Sequence, residues 1–217
     1  MQDNFNSSFF IAKYKYFIFD FDGIIKESVA IKKNIYCDLF SKYKDKLHLI
    51  EKHHLKNGGV SRYEKIPIYL GFCDQEVNSD SVNYYLKKFS DIATNLVIAS
   101  KWVPGFKDFF NKLKNKENIY IVSAAPEKEI KNISNTIGLE IPFSNIFGSP
   151  RSKTENINSF LRIKNKNDYI FFGDSSSDAS AAANCLIDFA YRSYSLNSYE
   201  KPKYFTYAFA DFRNEIN

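Results

Sequence analysis

Residues 14–23 read Tyr14-Lys15-Tyr16-Phe17-Ile18-Phe19-Asp20-Phe21-Asp22-Gly23. The aromatic and β-branched residues through Phe19 predict a buried strand. The chain then turns at once through two carboxylates and a glycine. Short apolar runs recur at 119–122, 145–147, 169–172 and 186–191. Stretches of helical character lie between them, at 126–137, 154–163 and 177–184, and Gly138 stands where the first of these should end. Strands alternating with helices predict an α/β fold with a central parallel sheet. In such a sheet the ligand site lies beyond the carboxyl ends of the strands. The residues that follow each strand therefore carry the functional information.

Residues 26–99 break the alternation. Ile31, Ile35 and Leu39, then Leu47 and Ile50, follow helical spacing. Gly58-Gly59 interrupts it, Pro67 and Gly71 punctuate it, and 78–99 resumes it. The chain thus divides into a core segment 1–25, an all-helical insert 26–100 and a second core segment 101–217. In the last segment a Pro104-Gly105 turn leads into a helix over 106–114. Residues 193–217 are aromatic and either finish the sheet or help form an interface.

Composition sets the outer bounds. The 217 residues are 44% hydrophobic and 25% charged, as in a globular chain large enough to bury a core without staples. No apolar run nears the ~18 residues of a membrane helix. Residues 1–12 lack the basic and apolar regions of a signal peptide. Cys37, Cys73 and Cys185 form no metal or redox motif and read as reduced thiols in the cytoplasm. Cys37 and Cys73 are expected in the core of the insert. The net charge, 30 − 25 = +5, is spread along the chain. That argues against a nucleic-acid partner and suits an anionic small substrate.

Four strand ends gather the chemistry. The first carries Asp20 and Asp22, the second Ser123-Ala124, the third Gly148-Ser149-Pro150-Arg151-Ser152-Lys153, and the fourth Gly173-Asp174 through Asp178. Taken singly these are bland: a turn, a loop hydroxyl, a solvated lysine, a helix cap. Brought to one rim they form four acids, a hydroxyl and an ammonium, a set suited to phosphoryl transfer. Carboxylates hold a hard cation such as Mg²⁺ through oxygen. Without one, four acids would repel each other and any anionic substrate.

Asp20-Phe21-Asp22-Gly23-Ile24-Ile25 with Ser28 resembles motif I of the haloacid dehalogenase superfamily. Val122-Ser123 resembles motif II, Lys153 motif III, and Gly173-Asp174 through Asp178 motif IV. The resemblance spans about residues 14–191 and implies a Rossmann-like core, with the helical insert as a C1 cap of subfamily I. It implies that Asp20 is the nucleophile and a Mg²⁺ ligand. Asp22 would be the general acid and then base, with its backbone carbonyl on the metal. Asp174 would be a metal ligand and Asp178 would orient metal waters and Lys153. Ser123 and the Ala124 amide would hold phosphate oxygens, and Lys153 would steady Asp20 and the phosphate. Gly23 would permit the tight turn. Dehalogenases and phosphonatases of this superfamily lack the acid at the Asp22 position, so its presence favours phosphate esters.

A cap loop is expected to reach the site, and 58–65 is the candidate. Gly58-Gly59 would allow close backbone approach. Arg62 either grips phosphate or a hydroxylated substrate, or is solvated on a helix–helix turn. His53 and His54 are expected on a helix surface, and Trp102 at the hinge. The 58–65 stretch also resembles phosphatases encoded with bacterial surface-polysaccharide enzymes. That implies a small phosphorylated metabolite, either a sugar phosphate or an amino-alcohol phosphate such as serinol phosphate. The competing readings are a phosphomutase of the same superfamily and a catalytically silent phosphometabolite-binding protein.

Overall fold

The computed structural model describes residues 5–161, 165–197 and 201–213. Helix α1 (Ser7–Lys13) leads into strand β1 (Tyr16–Phe19). Four helices follow: α2 (Val29–Leu39), α3 (Leu47–Lys56), α4 (Arg62–Phe72) and α5 (Ser79–Ala99). The chain then resumes as α6 (Phe106–Lys112), β2 (Ile119–Pro126), α7 (Glu127–Thr136), β3 (Ile146–Ser149), α8 (Lys153–Phe160), β4 (Tyr169–Gly173), α9 (Ser176–Cys185), β5 (Asp188–Arg192) and β6 (Tyr207–Phe209). The strands form one sheet in the order β3-β2-β1-β4-β5-β6, and every pairing is parallel.

Both faces of this sheet are covered, which is why its strands read as unbroken apolar runs. Phe17 and Phe19, Ile119 and Ile121, and Ile170 and Phe172 enter one core. Their alternates Ile18, Tyr120, Val122, Tyr169 and Phe171 enter the other. Phe19 and Phe172 pair in register and stack with ring centroids 5.1 Å apart. The helices between β1 and β2 bury a separate cluster, centred on Ile35, Tyr36, Phe40, Ile50, Ile66, Tyr69, Leu70 and Phe89. Cys73 belongs to that cluster, while Cys37 is only half-buried. The regular elements between β1 and α6 are the four helices α2 to α5. Among the described residues no helix is long and apolar enough to cross a membrane.

Three features differ from expectation. The first is α1, a helix given by the Asn6 side chain accepting from the Phe9 amide and by burial of Phe10. Strand β2 continues past residue 122 to Pro126, with a register irregularity against β3 between Val122 and Pro126. Thr206–Phe212 resolves the question left open for the tail: β6 joins β5 and completes the sheet, and Phe209 and Phe212 enter the main core. Helix α8 ends at Phe160; residues 162 and 163 of its expected span lie outside the described residues. Gly138, at φ +74°, follows α7 as expected.

Phe172 is fully buried and lies against Phe5, Phe10, Phe19, Phe109, Phe209 and Phe212. It ties both chain ends to the sheet. Phe172→Ala is expected to lower stability by about 3–5 kcal/mol, read as a reduced midpoint in urea unfolding with an unchanged slope.

Candidate active site

The carboxyl ends of β1 and β4 are neighbours, so Asp20 and Asp174 meet without any long-range device. Parallel pairing continues one residue past Phe19, where the Asp20 amide donates to the Phe172 carbonyl at 2.9 Å. Lys153 opens α8, whose start is fixed by a capping box between Ser152 and Glu155. Its Nζ lies 3.0 Å from Asp20 Oδ2 and 2.5 Å from Asp178 Oδ1. Asp178 is the third residue of α9 and belongs to a second capping box with Ser175. Its Oδ2 accepts from the Ser175 amide at 3.0 Å and the Ser175 hydroxyl at 2.6 Å. Both Asp178 oxygens are thus committed to positioning, one on Lys153 and one on the loop.

Carboxylate oxygens of Asp20, Asp174 and Asp178 lie within 4.8 Å of one another, and all three residues are buried. One ammonium faces three acids. Burial, and then Asp178, Asp174 and Asp22, push the Asp20 carboxyl well up, against the pull of Lys153. Asp174 is pushed up to about 7 by burial and by Asp178, even though Tyr194 donates to it at 2.5 Å. Burial is the first cause of both shifts, and the neighbouring acids add to it. An all-oxygen, acid-rich donor set fits a hard divalent cation.

Asp22 turns away from this cluster. Its carboxylate accepts from Ser28 Oγ and from Lys32 Nζ, each at 2.5 Å. Burial alone would raise its pKa, but Lys32 and Ser28 outweigh burial and hold it below the usual carboxylate range. The turn that follows Asp22 depends on Gly23 at φ +78°. A Cβ there would lie 2.1 Å from Asp174 Oδ2. Arg192 Nη1 donates to the Gly23 carbonyl at 2.6 Å, and its Nη2 pairs with Glu27 at 2.6 Å. Ser123 is buried, and its Oγ accepts from the Ala125 amide at 3.1 Å. Ala124 lines a cavity that also reaches Asp22.

A model of the haloacid dehalogenase-like hydrolases matches residues 17–191. The chain belongs to that family. No curated protein matches it. Among solved structures, this hydrolase is similar in fold to a predicted phosphoglycolate phosphatase of Haemophilus somnus 129pt (20% identity, 92% of this chain and 95% of that one, TM-score 0.67). It is also similar to β-phosphoglucomutase of Clostridium difficile (16% identity, 92% of each chain, TM-score 0.65). A third is the HAD-hydrolase YfnB of Bacillus subtilis bound to magnesium (16% identity, 92% and 95%, TM-score 0.62).

In this haloacid dehalogenase-like hydrolase the helical insert rests on the rim formed by the strand ends. Gly59 comes so close to the loop after β4 that a Cβ would stand 2.0 Å from Ser177 Oγ, and that hydroxyl donates to the Gly59 carbonyl at 3.0 Å. Close backbone approach at Gly58-Gly59 is thus realised, with the core loop as its object. Arg62 is buried, which corrects the solvated alternative. Its fork donates to Glu129 on α7 at 2.6 and 2.8 Å and to Ser90 Oγ at 2.8 Å. Burial raises the energetic stake of a charge, and a carboxylate across the interface satisfies it. His54 is also corrected from surface to interior: it is 3% exposed and sits against Lys65. Trp102 stacks near Phe106 beside the point where the chain returns to the core, with Lys26 Nζ 4.7 Å from its ring. Arg151 is exposed, on a groove shared with Lys153.

Sequence reasoning missed Lys32, Lys65, Glu129 and Tyr194. Ser28 and Lys32 are one helical turn apart, joined by a backbone bond of 2.9 Å, so their shared face was available as a signal. Glu129 and Tyr194 come from segments whose role depends on tertiary packing alone. Gly23→Ala combines a left-handed backbone with a clash on Asp174. It is expected to cost at least about 1 kcal/mol, measured by chemical denaturation.

Proposed function

We propose that this chain is a Mg²⁺-dependent phosphatase that hydrolyses a small phosphomonoester through an aspartyl phosphate on Asp20. The observation that carries the proposal is Lys153 held between Asp20 and Asp178, with Asp174 beside them. In this reading an Asp20 oxygen attacks phosphorus while the bond to the leaving oxygen breaks. Asp22 gives that oxygen its proton, then takes a proton from the water that attacks the phosphoenzyme and releases Asp20. Asp20, Asp174 and the Asp22 carbonyl would hold the cation, which offsets charge on the transferring phosphoryl group when bound. Lys153 would offset the same charge. Ser123 and the Ala124 amide hold phosphate oxygens. The helical insert acts as a C1 cap that excludes bulk water, and Arg62 binds Glu129 to keep it seated.

Two features bear on the substrate. The groove between insert and core, lined by Gly59, Val60, Ala124 and Lys153, encloses about 430 Å³, room for a small metabolite. The 58–65 stretch supports a sugar phosphate or an amino-alcohol phosphate such as serinol phosphate, of the kind used in capsule or surface-polysaccharide biosynthesis. Free Cys37, Cys73 and Cys185 suit a reducing cytoplasm.

Asp22 meets two demands in turn. Lys32 keeps it ionised, as the water-activating step requires, whereas the first step requires its proton. Lys32→Met removes the charge that favours carboxylate, so the Asp22 pKa rises and the acid form persists to higher pH. The alkaline limb of kcat/KM for an alkyl phosphate is expected to move up by about one unit or more, measured as phosphate release across a pH series.

Inorganic phosphate release from a panel of sugar, glycerol and amino-alcohol phosphates tests the proposal itself. Release is expected with Mg²⁺, loss with EDTA, and a drop of roughly a thousandfold or more for Asp20→Asn. Interconversion of sugar phosphates without net release would instead identify a mutase.

A further inference from the structure

We propose that Tyr194 sets the metal preference of the acid cluster: its hydroxyl occupies one oxygen of Asp174, so this carboxylate offers a cation a single oxygen and the site takes Mg²⁺ in preference to Ca²⁺. This rests on the reading of the cluster as a divalent-cation site and names a residue that tunes it.

Most carboxylate oxygens of the cluster are already engaged. In Asp178, Oδ1 accepts from Lys153, and Oδ2 accepts from the Ser175 amide and hydroxyl. Asp20 Oδ2 faces Lys153 at 3.0 Å. Asp174 Oδ2 accepts from Tyr194 Oη at 2.5 Å. Oδ1 of Asp20 and Oδ1 of Asp174 are left without a donor among the described residues. The engaged oxygen of Asp174 is also crowded. A Cβ built on Gly23 would lie 2.1 Å from it and 2.8 Å from the Tyr194 hydroxyl, so the β1 turn covers this oxygen from another side.

Tyr194 is itself held. The Arg192 guanidinium lies 4.4 Å from its ring centre and is fixed by the Gly23 carbonyl and Glu27. The Tyr194 amide donates to Asn197 Oδ1 at 2.9 Å. Asn197 Nδ2 in turn donates to the Asp174 carbonyl at 2.8 Å and the Arg192 carbonyl at 2.7 Å. The loop after β5 thus grips Asp174 twice, by side chain and by backbone. Burial, and then Asp174, hold the phenol far above its ordinary pKa, so it stays the donor.

Cation chemistry turns this geometry into selectivity. Ca²⁺ gathers about six to eight oxygens, and a bidentate carboxylate supplies two at once. Mg²⁺ is smaller, keeps several waters and binds through one or two carboxylates. Single oxygens from Asp20 and Asp174 suit the second pattern. The phenol also fixes the rotation of the Asp174 carboxylate, which an ion of strict geometry needs more than a permissive one. Tyr194→Phe keeps the ring and its Arg192 contact and frees Oδ2 alone.

Metal binding by the whole chain, without substrate, reads this directly. Mn²⁺ is bound first, followed by the loss of its free EPR signal, and Mg²⁺ and Ca²⁺ are then titrated as competitors. Wild-type protein should release Mn²⁺ at lower Mg²⁺ than Ca²⁺. In Tyr194→Phe the ratio of the two competitor constants should move toward Ca²⁺ by about tenfold or more, the scale on which a partner of a metal-binding carboxylate acts. A purely structural Tyr194 would weaken both competitors alike and leave the ratio fixed. Asn197→Ala keeps the phenol but unties its loop, and should move the ratio the same way by a smaller factor. Circular dichroism melts establish that each variant folds. A wild-type preference for Ca²⁺, or an unchanged ratio in folded Tyr194→Phe, would overturn the assignment. Where Tyr194→Phe does not fold, an unchanged ratio in Asn197→Ala would overturn it as well. The expected shift without phosphate release from any ester would overturn the phosphatase reading alone. Wild-type protein that binds no Mn²⁺ would overturn the cation site, and the role of Tyr194 with it.

Discussion

The ammonium of Lys153 is the point on which the site depends. It sits between Asp20 and Asp178, fully desolvated, and each of these acids is placed by a different piece of the sheet. Asp20 comes from β1, Asp178 from the helix after β4, and Lys153 from the helix after β3. A buried ion pair is weak evidence of net stability, but removing one member leaves an uncompensated charge. The arrangement therefore enforces registry: three crossovers must deliver their ends to one place before any of the charges is satisfied. Burial and mutual repulsion hold the Asp20 and Asp174 carboxyls up even with Lys153 beside them.

The insert obeys the same logic from above. It reaches the rim through Gly59 on Ser177, Arg62 on Glu129 and Lys32 on Asp22. The first contact requires an absent side chain, and the others require paired charges. Arg62, the first residue of α4, thus ties the insert to the core.

Much of this was legible in the chain. Asp20, Lys153, Asp174 and Asp178 could be placed because the carboxyl end of a parallel strand has one location, and strand runs of Phe and Ile are unmistakable. The parts that were not legible share a cause. Glu129, Tyr194 and Lys65 sit on segments whose local pattern is ordinary, and their roles arise only from what faces them across a gap. His54 looked like a surface residue because α3 is polar on most of its length; the packing of α3 on α2 and α4 decided otherwise. Strand β6 has only three residues, too few to leave a periodic signal, and α1 depends on a cap and one buried ring.

The two crossings between core and insert run side by side. The Glu27 amide donates to the Lys101 carbonyl at 2.8 Å, and Val103 returns a bond to Ile25 at 3.0 Å. The chain thus leaves the core and returns to it through a single narrow neck. Loop-closure entropy grows only slowly with the length enclosed, so the sheet is nearly indifferent to how much chain the neck holds. Selection is accordingly free to enlarge, trim or replace the insert without renegotiating the chemistry beneath it. The plan therefore allows one lid to be exchanged for another over an unchanged floor.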